Sequence, residues 1–153
     1  MMIRIFNTPF ELSLRALLIL SCSNEAKTSD MIAAIDFMTV YGKTFGVSSY
    51  NLHGDNTYRY SEFTSRLNLI NQAVKRIALD KLADVSDLSG KLGYTINQAG
   101  DKYASSFESE YAVEYRQLAQ NAIALIGHKT EQEIISIISK QAVASLRIGG
   151  GNG

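Results

Sequence analysis

A polar cluster near the middle of the chain has the residue types closest to those of a chemical site. It runs Asn51-Leu52-His53-Gly54-Asp55-Asn56 and is followed by Tyr58. An imidazole and a carboxylate are the groups that a general base or a metal site uses. Metal sites need three or four convergent ligands, however, and no second His and no Cys lies at ligand spacing. Because Asn, Asp and Gly also favour hydrogen-bonded turns, we interpret the cluster as a turn. A hydrolase that uses His53 and Asp55 is the alternative hypothesis.

The rest of the sequence has no familiar catalytic motif. It contains no Gly-rich phosphate loop and no GxSxG, HExxH or CxxC pattern. Cys22 is the single cysteine, which excludes an intrachain disulfide and favours packing as a small apolar residue. Without a candidate pair of nucleophile and base, we expect no catalytic residue, no bound metal and no cofactor. The sequence therefore predicts a binding protein rather than an enzyme.

A second candidate surface is the polar side of a helix predicted from Ser61 to about Ala83. Its apolar residues recur at spacings of four and three, which places them on one core-facing side: Phe63, Leu67, Ile70, Val74 and Ile77. In helix-turn-helix proteins the second helix reads base edges with Arg, Lys, Asn and Gln. The candidate DNA contacts on this helix and the hairpin after it are Arg66, Asn68, Gln72, Lys75, Arg76 and Lys91.

The charge balance argues against a general attraction to nucleic acid. The 153 residues contain 15 Lys and Arg and 15 Asp and Glu, so the net charge is zero. DNA-binding domains usually show a clearer basic footprint, and the predicted helix has only a small excess of positive charge. A solvated face or a protein contact is the other interpretation of its polar side. No stretch has the length of a membrane span and no secretory signal opens the chain, so we expect a cytoplasmic protein without membrane contact.

The elements predicted to hold these residues in place are several helices and one hairpin. Thr8-Pro9-Phe10-Glu11 predicts a helix that ends near Cys22, and Asp30 predicts a cap for a second helix from Met31 to about Tyr41. Gly42 predicts its end, and a long loop follows. The two runs at 84–87 and 92–96 alternate as strands do around the turn residues Ser89 and Gly90.

Asn97 predicts the cap of the next helix, and two capping boxes follow. Ser105 with Glu108 predicts a helix that ends at Gly127, and Thr130 with Glu133 predicts a last helix to about Arg147. The fold class is therefore mainly α (α+β): a winged-helix-like domain with a two-stranded hairpin and additional C-terminal helices. One domain is expected over residues 1–147, with its helical extension at 104–147 and a flexible tail at 148–153.

Several short motifs resemble a known family in their order and spacing. They are Phe6-Asn7-Thr8-Pro9-Phe10-Glu11 with Arg15, Asp36-Phe37, Tyr41-Gly42, the 51–56 cluster with Tyr58, Ser61-Glu62, Arg66 and Glu114-Tyr115-Arg116. Together, over about residues 5–147, they are similar to the middle component of bacterial ABC-three-component systems, which include Lamassu-type anti-phage defence.

The resemblance implies a non-catalytic adaptor or regulatory subunit. Such a subunit bridges an SMC-like ATPase and an effector, often a nuclease, and restrains the effector until foreign DNA is sensed. We expect the partner contacts to lie at Asn51, His53, Asp55, Asn56, Tyr58, Tyr111, Tyr115 and Arg116. The alternative function is a winged-helix DNA-binding transcriptional regulator, and in a combination of the two the DNA is contacted only within the complex.

Overall fold

The chain folds into helices around a small sheet. The computed structural model describes residues 8–54 and 59–151, with the backbone alone for 59–61 and 145–151. These ranges confirm a mainly helical α+β fold. The helices are α1 (Pro9–Ser21), α2 (Ser29–Val40), α3 (Gly42–Phe45), α4 (Arg59–Leu79), α5 (Gln98–Ser105), α6 (Glu110–Ile126) and α7 (Glu131–Gly151). The strands are β1 (Lys27–Thr28), β2 (Ala83–Leu88) and β3 (Lys91–Ile96).

Helices α1 and α2 form the centre of the protein. The Thr8 hydroxyl caps α1 by accepting a hydrogen bond from the Glu11 N–H at 3.2 Å, as predicted. Helix α2 begins earlier than predicted because Thr28, not Asp30, is its cap and accepts from the Met31 N–H at 3.1 Å. Most side chains of both helices are buried, so the other elements must enclose them.

The outer helices bury the sides that the sequence predicts. Phe63, Ile70, Val74 and Ile77 of α4 are buried, and α4 packs against both α1 and α2. Helix α6 also packs against both central helices, whereas α7 packs mainly against α2. None of the described helices combines the length and the apolar character that a bilayer crossing demands.

The hairpin has the predicted position and turn. Strands β2 and β3 are antiparallel, and their turn residues Ser89 and Gly90 have φ angles of 54° and 87°. These left-handed values suit a two-residue hairpin turn. Strand β1 pairs with β3 through Thr28 and Gly93, which gives the sheet order β1-β3-β2. Because β1 has only two residues, no alternating pattern in the sequence announces it.

Two local predictions are wrong. Helix α2 ends at Val40, close to the predicted end at Tyr41, but no loop follows directly, because Gly42 begins the short α3. Ser105 does not cap α6, because it closes α5 and its hydroxyl donates to the Asp101 carbonyl at 2.8 Å. The cap of α6 is Ser109, whose hydroxyl accepts from the Ala112 N–H at 3.1 Å.

Other boundaries agree with the sequence or extend it. Asn97 caps α5 by accepting from the Gly100 N–H at 2.8 Å. Thr130 accepts from the Glu133 N–H at 3.2 Å, as the second capping box predicts. Helix α7 continues to Gly151, past the predicted end near Arg147, and only 152–153 of the predicted tail lie outside the described residues.

Candidate functional site

A cluster of charged and hydroxyl side chains lies inside the core. Asp36 of α2 is fully buried, and Arg15 of α1 donates to its two oxygens from Nε at 2.9 Å and from Nη2 at 2.8 Å. The Nε of Arg66, on α4, lies 3.3 Å from Asp36 Oδ2, and the Tyr115 hydroxyl of α6 donates to Asp36 Oδ1. One carboxylate thus joins four helices.

Burial and charge together fix the protonation states of this cluster. Burial raises the pKa of Asp36, but the charges of Arg15 and Arg66 and the hydrogen bonds prevail and hold it at about 2. Burial likewise opposes the charge of Arg15, and Asp36 nevertheless raises its pKa. Burial and then the charge of Asp36 raise the pKa of Tyr115 well above its usual value. Near neutral pH the carboxylate is therefore ionised and the phenol is not.

Aromatic side chains connect the cluster to the surface. His53 Nε2 and the Tyr111 hydroxyl lie 2.7 Å apart, and their rings stack with centroids 5.8 Å apart. The Tyr111 ring also stacks on Tyr115, with centroids 6.1 Å apart. The Tyr41 hydroxyl donates to the Glu62 carboxylate at 2.9 Å, beside the buried group. The helix-joining cluster therefore extends toward the loop that carries His53.

The arrangement of side chains around Asp36 supports a structural role. Asp36 accepts from several donors and has a pKa of about 2, so it is a poor proton acceptor near neutral pH. Within residues 8–54 and 59–151, no three His, Cys, Asp or Glu side chains are placed together to hold a metal ion. Complete internal pairing of a buried carboxylate fixes the helices that supply the partners.

The predicted polar loop is attached to the body where the structure describes it. Asn51 Oδ1 accepts from the Lys43 N–H at 3.1 Å, and the Leu52 N–H donates to the Val40 carbonyl at 2.9 Å. These contacts attach the loop at Asn51 and Leu52 to the end of α2 and the start of α3. They agree with the interpretation of the polar cluster as a hydrogen-bonded turn. The other predicted contact residues of this segment lie outside the described residues: Asp55, Asn56 and Tyr58.

The predicted contacts on α6 are more buried than expected. Tyr115 has no exposed surface, so the structure corrects the expectation that it touches a partner. Tyr111 is partly buried against His53. Arg116 is also partly buried, and its Nη2 donates to the Ala104 carbonyl in the last turn of α5 at 2.8 Å. The α6 motif thus mainly holds neighbouring elements together.

Some of the predicted DNA-contact residues are exposed, and others are buried or paired with carboxylates. Asn68, Gln72, Lys75 and Arg76 are exposed on one side of α4, as the periodicity predicts. However, Arg76 Nε lies 3.3 Å from an Asp80 carboxylate oxygen four residues further along the helix. Part of the positive charge of this side is therefore balanced by its own helix.

Two other predicted DNA contacts are engaged elsewhere. Arg66 is buried, because it lies three residues after Phe63 and four before Ile70 and so belongs to the core-facing side. This corrects its assignment to the DNA-contacting set. Lys91 Nζ lies 2.7 Å from Glu131 Oε2 at the start of α7. Both cations therefore have acidic partners within the protein.

A second feature, an open groove, lies between α1, α4 and α5. It has a volume of about 510 Å³. Its lining is mostly apolar or aromatic: Pro9, Phe10, Ser13, Leu14, Leu17, Arg76, Ile77, Asp80, Leu82, Tyr103 and Phe107. Phe10 is 67% exposed and Tyr103 is 46% exposed. Gathered exposed apolar side chains of this size are typical of binding sites.

The sequence carries a weak signal of this groove, because Tyr103 and Phe107 have the spacing of one helix face. Phe10 lies in the first turn of α1, within the capping motif Thr8-Pro9-Phe10-Glu11. That motif predicts where the helix starts but not that the Phe10 ring is exposed. The predicted cap at Ser105 assigns Phe107 to the helix after the one that carries Tyr103, so the sequence predicts no common position for the two rings.

Comparison with known proteins gives one match. A family model described as "MC2: ABC-three component (ABC-3C) system Middle Component 2" matches residues 5–147, nearly the whole chain. No curated protein and no solved structure matches the chain. The matched range includes both the cluster around Asp36 and the groove.

Proposed function

The chain belongs to the Middle Component 2 family of ABC-three-component systems, and from this premise we propose that it is a non-catalytic adaptor subunit. A middle component implies partner subunits. The proposed partners are an SMC-like ATPase and a nuclease-type effector, which the adaptor bridges in a cytoplasmic, Lamassu-type anti-phage defence complex. The identity of both partners comes from the sequence resemblance.

The observation that carries this proposal is the groove between α1, α4 and α5. Five residues of α1 form one wall at positions 9, 10, 13, 14 and 17, a length of about 12 Å along the helix. Exposed aromatic rings at the edge and aliphatic side chains inside suit the apolar anchors of a partner helix or extended segment. The proposed docking partner is such a segment of the ATPase or the effector.

Electrostatics supports a protein partner over nucleic acid. The protein has no net charge, and three of its four cationic DNA-contact candidates, Arg66, Arg76 and Lys91, have acidic neighbours. Phosphate contacts normally supply a large share of the affinity for DNA. The groove instead offers apolar area, which is the dominant favourable contribution in most protein association.

Co-purification with the two neighbouring gene products tests the proposal. Phe10→Ser and Tyr103→Ser remove apolar groups from the groove without entering the core, and Val113→Ser is the matched control. Val113 is 54% exposed on α6 and does not line the groove. We expect both groove variants to weaken capture at least tenfold, since anchor residues carry most of the binding energy, and we expect the control to bind normally.

Two outcomes would count against this function. A native chain that stays alone at micromolar concentration, with both neighbouring proteins present, would reject the adaptor. Groove variants that bind as well as Val113→Ser would reject the groove as the docking surface. Equal weakening by all three variants would also contradict a localised site.

One observation favours the alternative function. The element order α1-β1-α2, then α4-β2-β3, and the sheet order β1-β3-β2 support the winged-helix prediction by analogy of topology. A regulator of this kind would place Asn68 and Gln72 of α4 against base edges. A salt titration of duplex binding is the test, because phosphate contacts make affinity fall steeply with salt. Lack of binding at low salt, both alone and in the complex, would exclude this function.

A further inference from the structure

Three elements meet at one carboxylate near the start of α7. Glu131 Oε2 lies 2.7 Å from Lys91 Nζ, at the tip of the hairpin formed by β2 and β3. Glu131 Oε1 accepts a hydrogen bond from the Thr28 hydroxyl. Thr28 also caps α2 and pairs with Gly93 of β3. Glu131 therefore connects the hairpin, the start of α2 and the start of α7.

The tip of the hairpin and the part of α7 at 139–144 bury little apolar surface. In β2, every residue from Asp84 to Leu88 is exposed, and Leu92 on β3 is 53% exposed. In α7, Ile134 and Ile138 are buried, but all side chains from Ser139 to Ala144 except that of Ala142 are exposed. Elements with little buried apolar area open at low free-energy cost.

An open space separates these elements around the ion pair. A groove of about 500 Å³ lies between the hairpin turn and the first turn of α7, with Leu88 and Ser89 on one side and Gln132 on the other. The contact is therefore a bridge across a gap rather than a packed interface. Burial opposes ionisation of Glu131, but the Lys91 and Thr28 contacts lower its pKa, and the Glu131 contact raises the pKa of Lys91.

We propose that Glu131 is a latch that couples the position of the hairpin tip to that of α7, so that a protein bound to one element biases the other. Its use as a relay between partners rests on the proposed adaptor function, but the coupling itself is a property of the isolated chain. Coupling of this kind is reciprocal, which makes it testable from both ends.

Hydrogen exchange by mass spectrometry on the isolated chain tests the latch. Glu131→Gln removes the charge at the hairpin contact, and Lys91→Gln removes it from the other side. Glu133→Gln is the matched control, because Glu133 is exposed in the same helical turn and bonds only to its own cap residue, Thr130, in the described contacts. We expect Glu131→Gln to speed exchange of hairpin amides 86–93 about threefold, and Lys91→Gln to speed exchange in α7 at 135–138.

The comparison between these variants decides the outcome. The latch is supported if each of the two variants loosens the opposite element while Glu133→Gln leaves both unchanged. It is rejected if Glu131→Gln leaves the hairpin unchanged, if Lys91→Gln loosens the hairpin alone, or if the control has the same effect. Faster exchange throughout the buried amides of α4 would also reject it, since that would be a global loss of stability. Failure of co-purification would reject the adaptor and leave this result intact.

Discussion

The cluster around Asp36 and the groove beside Phe10 invert the usual placement of polar and apolar groups. The cluster buries a carboxylate and two guanidinium groups, and Arg66 is only 3% exposed. The groove leaves the aromatic rings of Phe10 and Tyr103 partly open to solvent. Charges that are paired inside the core fix helices, whereas apolar rings left at the surface are available to another molecule.

The two regions also differ in how visible they are in the sequence. The motifs that carry the family resemblance include Arg15, Asp36, Glu62, Arg66 and Tyr115, and all five meet in or beside the cluster. The groove lining is mostly apolar, with Ser13, Arg76 and Asp80 among its polar residues, and only Pro9 and Phe10 of this lining belong to those motifs. Within this chain, the resemblance motifs therefore mark the cluster more fully than the groove, most of which is recognised only from its exposure.

The largest expected effect comes from breaking the cluster. Asp36→Asn keeps the shape of the side chain but removes the buried charge that Arg15 and Arg66 share, and leaves each with only a more exposed carboxylate on its own helix, Glu11 or Glu62. We expect a loss of about 3–5 kcal/mol in the free energy of unfolding, measured by urea denaturation at pH 7. The control is Asp80→Asn, which breaks the exposed pair with Arg76 and should cost less than about 0.5 kcal/mol. Equal costs at the two positions would contradict a structural role for the cluster.

A substitution at Gly100 should disturb the groove through the backbone. A Cβ atom at this position would lie 1.9 Å from the Leu82 carbonyl oxygen, so α5 must move. We expect Gly100→Ala to cost about 3 kcal/mol by overpacking and to displace Tyr103, which lies on the same helix. Thermal and urea unfolding measure the loss, with the exposed Gln98→Ala as the control. Similar stability of the two variants would show that α5 tolerates a shift.

Acid should weaken the cluster and spare the groove. The pKa of Asp36 is about 2 in the folded chain and about 4 when unfolded. Because the folded value is the lower one, its contribution is complete above about pH 4 and is lost as the pH falls toward 2. We expect a loss of about 2 kcal/mol over this range, measured by urea unfolding at several pH values. Asp36→Asn should lack this part of the pH dependence, and an unchanged slope would contradict the assignment.

The opposite sign is expected in alkali. Burial and the charge of Asp36 raise the pKa of Tyr115 in the folded chain. The phenol therefore ionises first in the unfolded chain, and stability should fall as the pH rises above about 10. Tyr115→Phe should remove the Tyr115 part of this slope, which unfolding between pH 9 and pH 11 measures. Tyrosine ionisation spectra of the folded protein give an independent check.

Sequence patterns predict the regular elements because their causes are local. Thr8, Asn97 and Thr130 accept from amides three residues away, and the turn at Ser89 and Gly90 needs only its own φ angles. The failures have distant causes. Strand β1 exists because β3 lies beside it, and Asp36 is ionised because arginines from two other helices reach it.

The candidate site shows the same division. Periodicity predicts the exposure of Asn68 and Gln72. It also predicts the burial of Arg66, because Arg66 lies on the same helix face as Phe63 and Ile70. No periodicity predicts that Tyr115 ends beside Asp36, since 79 residues separate them. The groove depends on the packing of three helices, so no spacing in the sequence relates the lining residues of one helix to those of another.

The smallest effect on stability is expected in the groove, and it decides what the exposed rings are for. Phe10 is 67% exposed, so Phe10→Ser should cost less than about 1 kcal/mol in urea unfolding. Leu17, in the same groove, is only 2% exposed, and Leu17→Ala should cost about 2–5 kcal/mol. If Phe10→Ser instead approaches the cost of Leu17→Ala, the ring belongs to the core and the docking argument fails. A small cost would mean that the stability of the fold does not require the Phe10 ring. Binding of an apolar partner would then be the physical reason for the exposed position of this ring.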